Sequence, residues 1–205
     1  MVSTFRDIQS MISFDKFVRE GLNEGLNEGL VDNLVVVDIQ PSYNNVLHKI
    51  LPNIINNIKK ASHILYYYNT NGYLNTLDEV KNYLIDNGLD EYYITDIIFI
   101  EGPFGYFREL FNKTTNIEIV KLIKVLYNNK MYGIQDLDKG ILDKLPDNYK
   151  DVDFNFPHPD KTLGLLRKNG QFLLMGGEKE GSIKEMMLLC SAFNINYKLA
   201  PGCVY

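Results

Sequence analysis

Four apolar residues, Leu34-Val35-Val36-Val37, run straight into Asp38, Ile39, Gln40 and the chain-breaking Pro41. A short β-branched run closed by polar residues predicts a buried parallel strand over 34–38, whose carboxyl end delivers side chains toward a crevice. The same pattern returns along the chain. Residues 63–68 predict a second strand ended by Asn69-Thr70-Asn71-Gly72, residues 97–101 a third broken by Gly102-Pro103, residues 171–175 a fourth, and residues 197–200 a last. Between them the apolar period lengthens to that of a helix. Leu47, Ile50, Leu51, Ile54, Ile55 and Ile58 predict an amphipathic helix over 46–60, with Pro52 in its interior. Thr76, with Glu79 three residues on, predicts the cap of a helix over 76–87 that Gly88 stops. Further helices are predicted over 104–111, 116–129 and 182–193, while residues 131–161 are irregular, with short helices at most.

Strand and helix alternate, so the expected fold is α/β: an open, mostly parallel sheet of about five strands, in a Rossmann-like 3-2-1-4-5 order, with helices on both faces. Ligands in such sheets bind at the carboxyl ends of the strands. Four strand ends then become candidates together: Asp38 with Gln40; Asn69 to Asn71; Glu101 with Gly102 and Pro103; and the run Gly176-Gly177-Glu178-Lys179-Glu180-Gly181-Ser182. Asp38 is the first of them, either as a site carboxylate or as the cap of the following turn. Backbone amides near Gly181 and Ser182 could hold an anion, although a glycine-rich strand-to-helix turn is common without a ligand.

The first thirty residues are different. Phe5, Ile8, Ile12, Phe14, Phe17 and Val18 have a loose helical period, followed by a Glu-Gly-Leu-Asn repeat from Glu20 to Leu30. Glycine at every fourth position weakens a helix by about 1 kcal/mol each time. Residues 1–30 therefore form a leader or linker, and the α/β domain is expected over 31–205.

Composition narrows the functions. The chain has 205 residues, 45% of them hydrophobic and 23% charged, enough for one α/β domain with a core of its own. A net charge of −5 speaks against broad nucleic-acid binding, and pairs such as Lys59-Lys60 and Arg167-Lys168 suit solvated helix faces. No apolar run has the length of a membrane span, so no membrane partner is expected. Cys190 and Cys203 offer neither a disulfide framework nor ligand spacing; Cys190 suits core packing and Cys203 is incidental. His48, His63 and His158 are scattered, as structural or exposed histidines are, so no metal and no cofactor are expected. Tyr66-Tyr67-Tyr68 alternate across a strand and need no ligand.

Asp-x-Gln after the first strand, with Gly-Gly before a helix that starts at Ser182, resembles the isochorismatase-like (cysteine hydrolase) superfamily, which includes nicotinamidases. The resemblance covers residues 31–205. In that family an Asp after strand one accepts a proton, a Lys after strand three stabilises, and a Cys opening the helix after strand four attacks a carbonyl. Carried over, Asp38 takes the first role, with Gln40 beside it; the Lys position falls at Glu101-Gly102-Pro103 and the Cys position at Ser182. The resemblance thus implies a degenerate hydrolase centre of Asp38, Ser182 and Glu101, binding a small molecule or a partner near Gln40, Asn69, Gly102, Gly177 and Gly181. Its alternative is an active small-molecule hydrolase that uses Asp38 without a cysteine, because vinyl-ether cleavage in that family does not strictly need one. The metal-holding Asp-x-His of some nicotinamidases is replaced here by Asn69-Thr70-Asn71.

Phe14-Asp15-Lys16-Phe17-Val18-Arg19-Glu20 resembles the capsid-targeting leader of internal head proteins in T-even-like phages, and Leu22-Asn23-Glu24-Gly25 and Leu26-Asn27-Glu28-Gly29 resemble sites of the associated prohead protease. Cleavage would follow Glu24 and Glu28. A plain amphipathic helix with a duplicated linker accounts for the same residues. Enrichment in Asn, Ile, Lys and Tyr without Trp fits AT-rich codons, as in a phage. The implied setting is the host cytoplasm or the virion, with capsid association or homo-oligomers as the partner states.

Overall fold

The structure, a computed structural model, describes residues 33–69, 75–101, 108–111, 114–128, 139–143, 147 and 171–205. The leader, with Glu24 and Glu28, lies outside the described residues, as do Gly102 and Pro103.

Five strands form one sheet: β1 (Asn33–Val37), β2 (His63–Tyr68), β3 (Ile97–Glu101), β4 (Phe172–Gly176) and β5 (Tyr197–Val204). Their order is β3-β2-β1-β4-β5 and every neighbouring pair is parallel. All five carboxyl ends therefore lie along one rim, and strand order reverses between β1 and β4. β1 is central, and Leu34 to Val37 are all buried because helices cover both sides of it.

The two-residue alternation of a strand sends side chains to opposite faces. Leu34 and Val36 of β1, Ile64, Tyr66 and Tyr68 of β2, and Leu173 and Met175 of β4 join one core cluster. Covering it are Leu51, Ile54, Ile55 and Ile58 of α2 (Leu51–Ile58) and Val80, Tyr83 and Leu84 of α3 (Leu77–Asp86). On the other face, α8 (Ser182–Ala192) lies against β4 and β5 and packs on α6 (Asn116–Asn128). Shorter α-helices include α1 (Asn44–Leu47), α4 (Glu91–Ile94), α5 (Arg108–Phe111) and α7 (Lys139–Leu142), and a 3-10 turn runs over Pro41–Tyr43.

Local chemistry accounts for several boundaries. Thr76 caps α3 as expected: its hydroxyl accepts from the Glu79 amide at 3.3 Å, and its own amide donates to the Glu79 carboxylate at 2.7 Å. Beyond that helix, Gly88 takes φ 96°, the left-handed stop. The helix expected over 46–60 is instead two, α1 and α2, with a turn between them. Pro52 sits in the first turn of α2, where its missing N–H costs no hydrogen bond. β5 runs four residues past the expected Ala200, through Pro201 and Gly202, to Val204. An edge strand tolerates the proline, and its register against β4 shifts between Leu174 and Gly176. Of the expected helix over 104–111 the described part is α5. Of the irregular 131–161 stretch only 139–143 and 147 are described.

Cys190 is buried, as expected, and burial pushes its thiol up to about 12. Cys203 is not incidental: it is 1% exposed within the core cluster, and its Sγ accepts from Asn57 Nδ2 at 3.6 Å. Among the described residues no helix is long and apolar enough to cross a membrane, and no group of three or more His, Cys, Asp or Glu side chains is gathered as metal ligands are. His48 and His63 are exposed, and His158 lies outside the described residues.

Candidate functional site

At Val37 the first strand ends, and Asp38 turns the chain with φ 54°, a left-handed conformation that Asp tolerates better than most residues. Its amide still donates to the Tyr67 carbonyl at 2.9 Å, so the turn begins while β1 is hydrogen-bonded to β2. On the other side β4 ends equally tightly. Gly176 takes φ 94°, and a Cβ there would lie 2.2 Å from the Val37 carbonyl oxygen, so only glycine fits. The Gly177 amide donates to that same carbonyl at 2.7 Å. The ends of β1 and β4 are thereby clamped together at the point where strand order reverses, the position at which open α/β sheets hold ligands.

The loop from Gly177 then closes on itself. Gly181 and Ile183 both donate their amides to the Glu178 carbonyl, at 3.0 and 3.2 Å, and Glu185 donates to Gly181 at 3.0 Å. Lys179 and Tyr205 tie the loop to the end of β5, the Lys179 amide donating to the Tyr205 carbonyl at 2.6 Å and the Tyr205 amide to Gly177 at 3.3 Å. Ser182 therefore opens α8 directly over Asp38. The Ser182 hydroxyl donates to Asp38 Oδ2, and the two residues are 2% and 3% exposed.

Beside this pair Gln40 is fully buried, with both ends of its amide engaged. Nε2 donates to the Asn69 carbonyl at 3.1 Å and Oε1 accepts from the Asn69 amide at 2.9 Å. The side chain stands in for the next peptide group of the β1–β2 ladder, which the main chain abandons at Asp38. Tyr66 reaches the same loop from below and donates its hydroxyl to the Ile39 carbonyl. Burial first, then neighbouring Tyr83 and Asp38, push the Tyr66 phenol well above the ordinary tyrosine range.

Asp38, Ser182, Gln40, Asn69 and Gly177 are thus brought together, though Gln40 and Asn69 hold each other. Gly181 is in the same loop, and its amide, expected to face an anion, is spent on Glu178. Glu101 is not brought to the pair. It is exposed at the end of β3, two strands from β1, a separation of roughly 10 Å at ordinary strand spacing. Its neighbour is Tyr68, whose phenol is pushed up by burial and then by Glu101. Sequence reasoning missed Tyr66, whose polar tip carries no local signal in a tyrosine-rich strand, and Glu185, buried in the first turn of α8 three residues after Ser182.

A hydroxyl donating to a carboxylate is in the geometry from which the carboxylate can take its proton. The same bond also ties the first turn of a helix to the end of a strand and places a carboxylate at the positive end of the helix dipole. No known protein family, curated protein or solved structure matches this chain.

Proposed function

We propose that this chain is a degenerate hydrolase of the isochorismatase-like type, which holds a small molecule or a partner at the β1–β4 rim with Asp38 and Ser182 as its polar anchor. The observation that supports it is the Asp38–Ser182 hydrogen bond across the reversal of strand order, between a strand-one acid and a residue at the nucleophile position. Degeneracy follows from the residue types. A serine paired directly with a carboxylate lacks the strong nucleophilicity of a thiolate, and Glu101, at the position of the stabilising lysine, carries the opposite charge and is turned to solvent. A panel of amides and vinyl ethers, assayed with Asp38→Asn as the control, tests the reading. No turnover, with ligand binding that Asp38→Asn weakens, is expected; robust turnover lost in Asp38→Asn would establish an active hydrolase instead.

A second reading concerns where the protein acts. The tandem Leu-Asn-Glu-Gly sequences at residues 22–25 and 26–29 favour a phage internal head protein whose leader is removed before packaging. Gly-spaced chain suits a protease, which takes its substrate extended. Mass spectrometry of purified virions is expected to find an N-terminus at Gly25 or Gly29, and an intact Met1 would count against it.

A further inference from the structure

Asp38 occupies a left-handed backbone conformation that costs free energy even for an aspartate, and the surrounding hydrogen bonds hold it there. The bonds that do so are specific. Its own amide is held by Tyr67, the Ile39 carbonyl by the Tyr66 hydroxyl, and residue 40 by the paired bonds of its side-chain amide to Asn69. Two of these three holds come from side chains, and both Tyr66 and Gln40 are fully buried. A phenol and a primary amide at 0% exposure incur a desolvation cost that their hydrogen bonds to Ile39 and Asn69 offset.

We infer that Tyr66 and Gln40 are positioning residues, which act on the site only through Asp38 by fixing the turn that presents its carboxylate to Ser182. The inference rests on the reading of the Asp38–Ser182 pair as the functional centre. Tyr66 sets the height of the loop by anchoring Ile39, and Gln40 sets its exit by extending the β2 ladder with a side chain where the main chain has turned away. Without either hold, Asp38 relaxes toward ordinary extended backbone. Its carboxylate then swings from the first turn of α8.

The test uses the whole chain, labelled with 13C at aspartate carboxyl carbons and with 15N, and needs no ligand. Tyr66→Phe and Gln40→Met each delete the hold while keeping bulk. Ser182→Ala marks where the Asp38 carboxyl resonance lies when the serine bond is gone. Tyr197→Phe, which removes a buried phenol hydroxyl at the amino end of β5, reports general destabilisation. In Tyr66→Phe and Gln40→Met the Asp38 carboxyl resonance is expected to move toward its Ser182→Ala position, and the Asp38 amide to exchange on the order of ten-fold faster relative to the Val36 amide. Tyr197→Phe is expected to leave both at their wild-type values. Unchanged Asp38 signals in Tyr66→Phe and Gln40→Met, an equal change in Tyr197→Phe, or loss of fold in the first two while Tyr197→Phe folds, would each overturn the assignment. Absent ligand binding or turnover bears on the functional reading alone, because these resonances are read on the unliganded chain.

Discussion

Two acids close two strands of the same parallel sheet, and they end in opposite situations. Asp38 follows the central strand, is 3% exposed, turns left-handed and accepts from a serine hydroxyl; Glu101 ends an edge strand and is exposed. Each has a tyrosine of β2 beside it, Tyr66 for Asp38 and Tyr68 for Glu101, yet burial raises the first phenol well above its ordinary range and the second less. What separates them is strand order. A strand end at the reversal is walled by neighbours on both sides and by the first turn of a helix, whereas a strand end at the edge has a neighbour on one side only.

The sharpest way to break the central region is at its clamp. Gly176→Ala forces a Cβ into the Val37 carbonyl at a positive φ and is expected to cost about 3 kcal/mol or more in urea unfolding. Gly88→Ala, at a similar φ but with nothing within 4 Å of the new Cβ, is expected to cost only about 1 kcal/mol, the backbone strain alone. Near-equal losses would show that β1 and β4 are not pressed together as described.

Next in size are two hydroxyls with different employers. Ser182→Ala removes a donor from a buried carboxylate and is expected to cost about 2 kcal/mol, whereas Thr76→Ala removes an exposed helix cap worth about 1 kcal/mol. The capping carboxylate adds a pH signature. The Glu79 carboxyl is held below its ordinary value chiefly by the Thr76 amide, so its contribution is present above the unfolded pKa and is lost as pH falls through the folded one. Unfolding midpoints measured down the acid limb are expected to fall less steeply in Glu79→Gln, which removes the titrating carboxyl, than in the wild type.

The tyrosines separate the two regions at the alkaline end. A phenol whose folded pKa lies above its unfolded value keeps its proton in the native chain. The stability it contributes is complete below the unfolded value of about 10 and is lost as pH rises through the folded one. Stability is therefore expected to decline above pH of about 10, and Tyr66→Phe to flatten that decline more than Tyr68→Phe does. Equal flattening would mean that Tyr66 and Tyr68, two residues apart on β2, share one environment. The smallest expected effect is that of Glu101→Gln, within about 0.5 kcal/mol, as for an exposed side chain. A larger loss would place Glu101 in the candidate site after all.

The amino-acid sequence by itself determined the strand and helix segments, the Thr76–Glu79 cap, the Gly88 stop and the alternation that makes the sheet parallel. Each depends on residues within a few positions of one another, where backbone preference and apolar period act directly. Pro52 shows the limit of that reasoning, since the same ring that breaks a helix interior is accommodated in the first turn of a new helix when the chain has turned just before it. The 3-2-1-4-5 strand order and the placing of Asp38 near Ser182 were expected from the alternation and the resemblance; tertiary structure alone decided that Ser182 donates to Asp38 Oδ2, that Gln40 spends its amide on Asn69, that Tyr66 holds Ile39, and that Glu101 is left exposed and apart from the pair. Those outcomes depend on how side chains from segments far apart in the chain meet once the sheet and its helices have packed, which no local pattern of residues encodes.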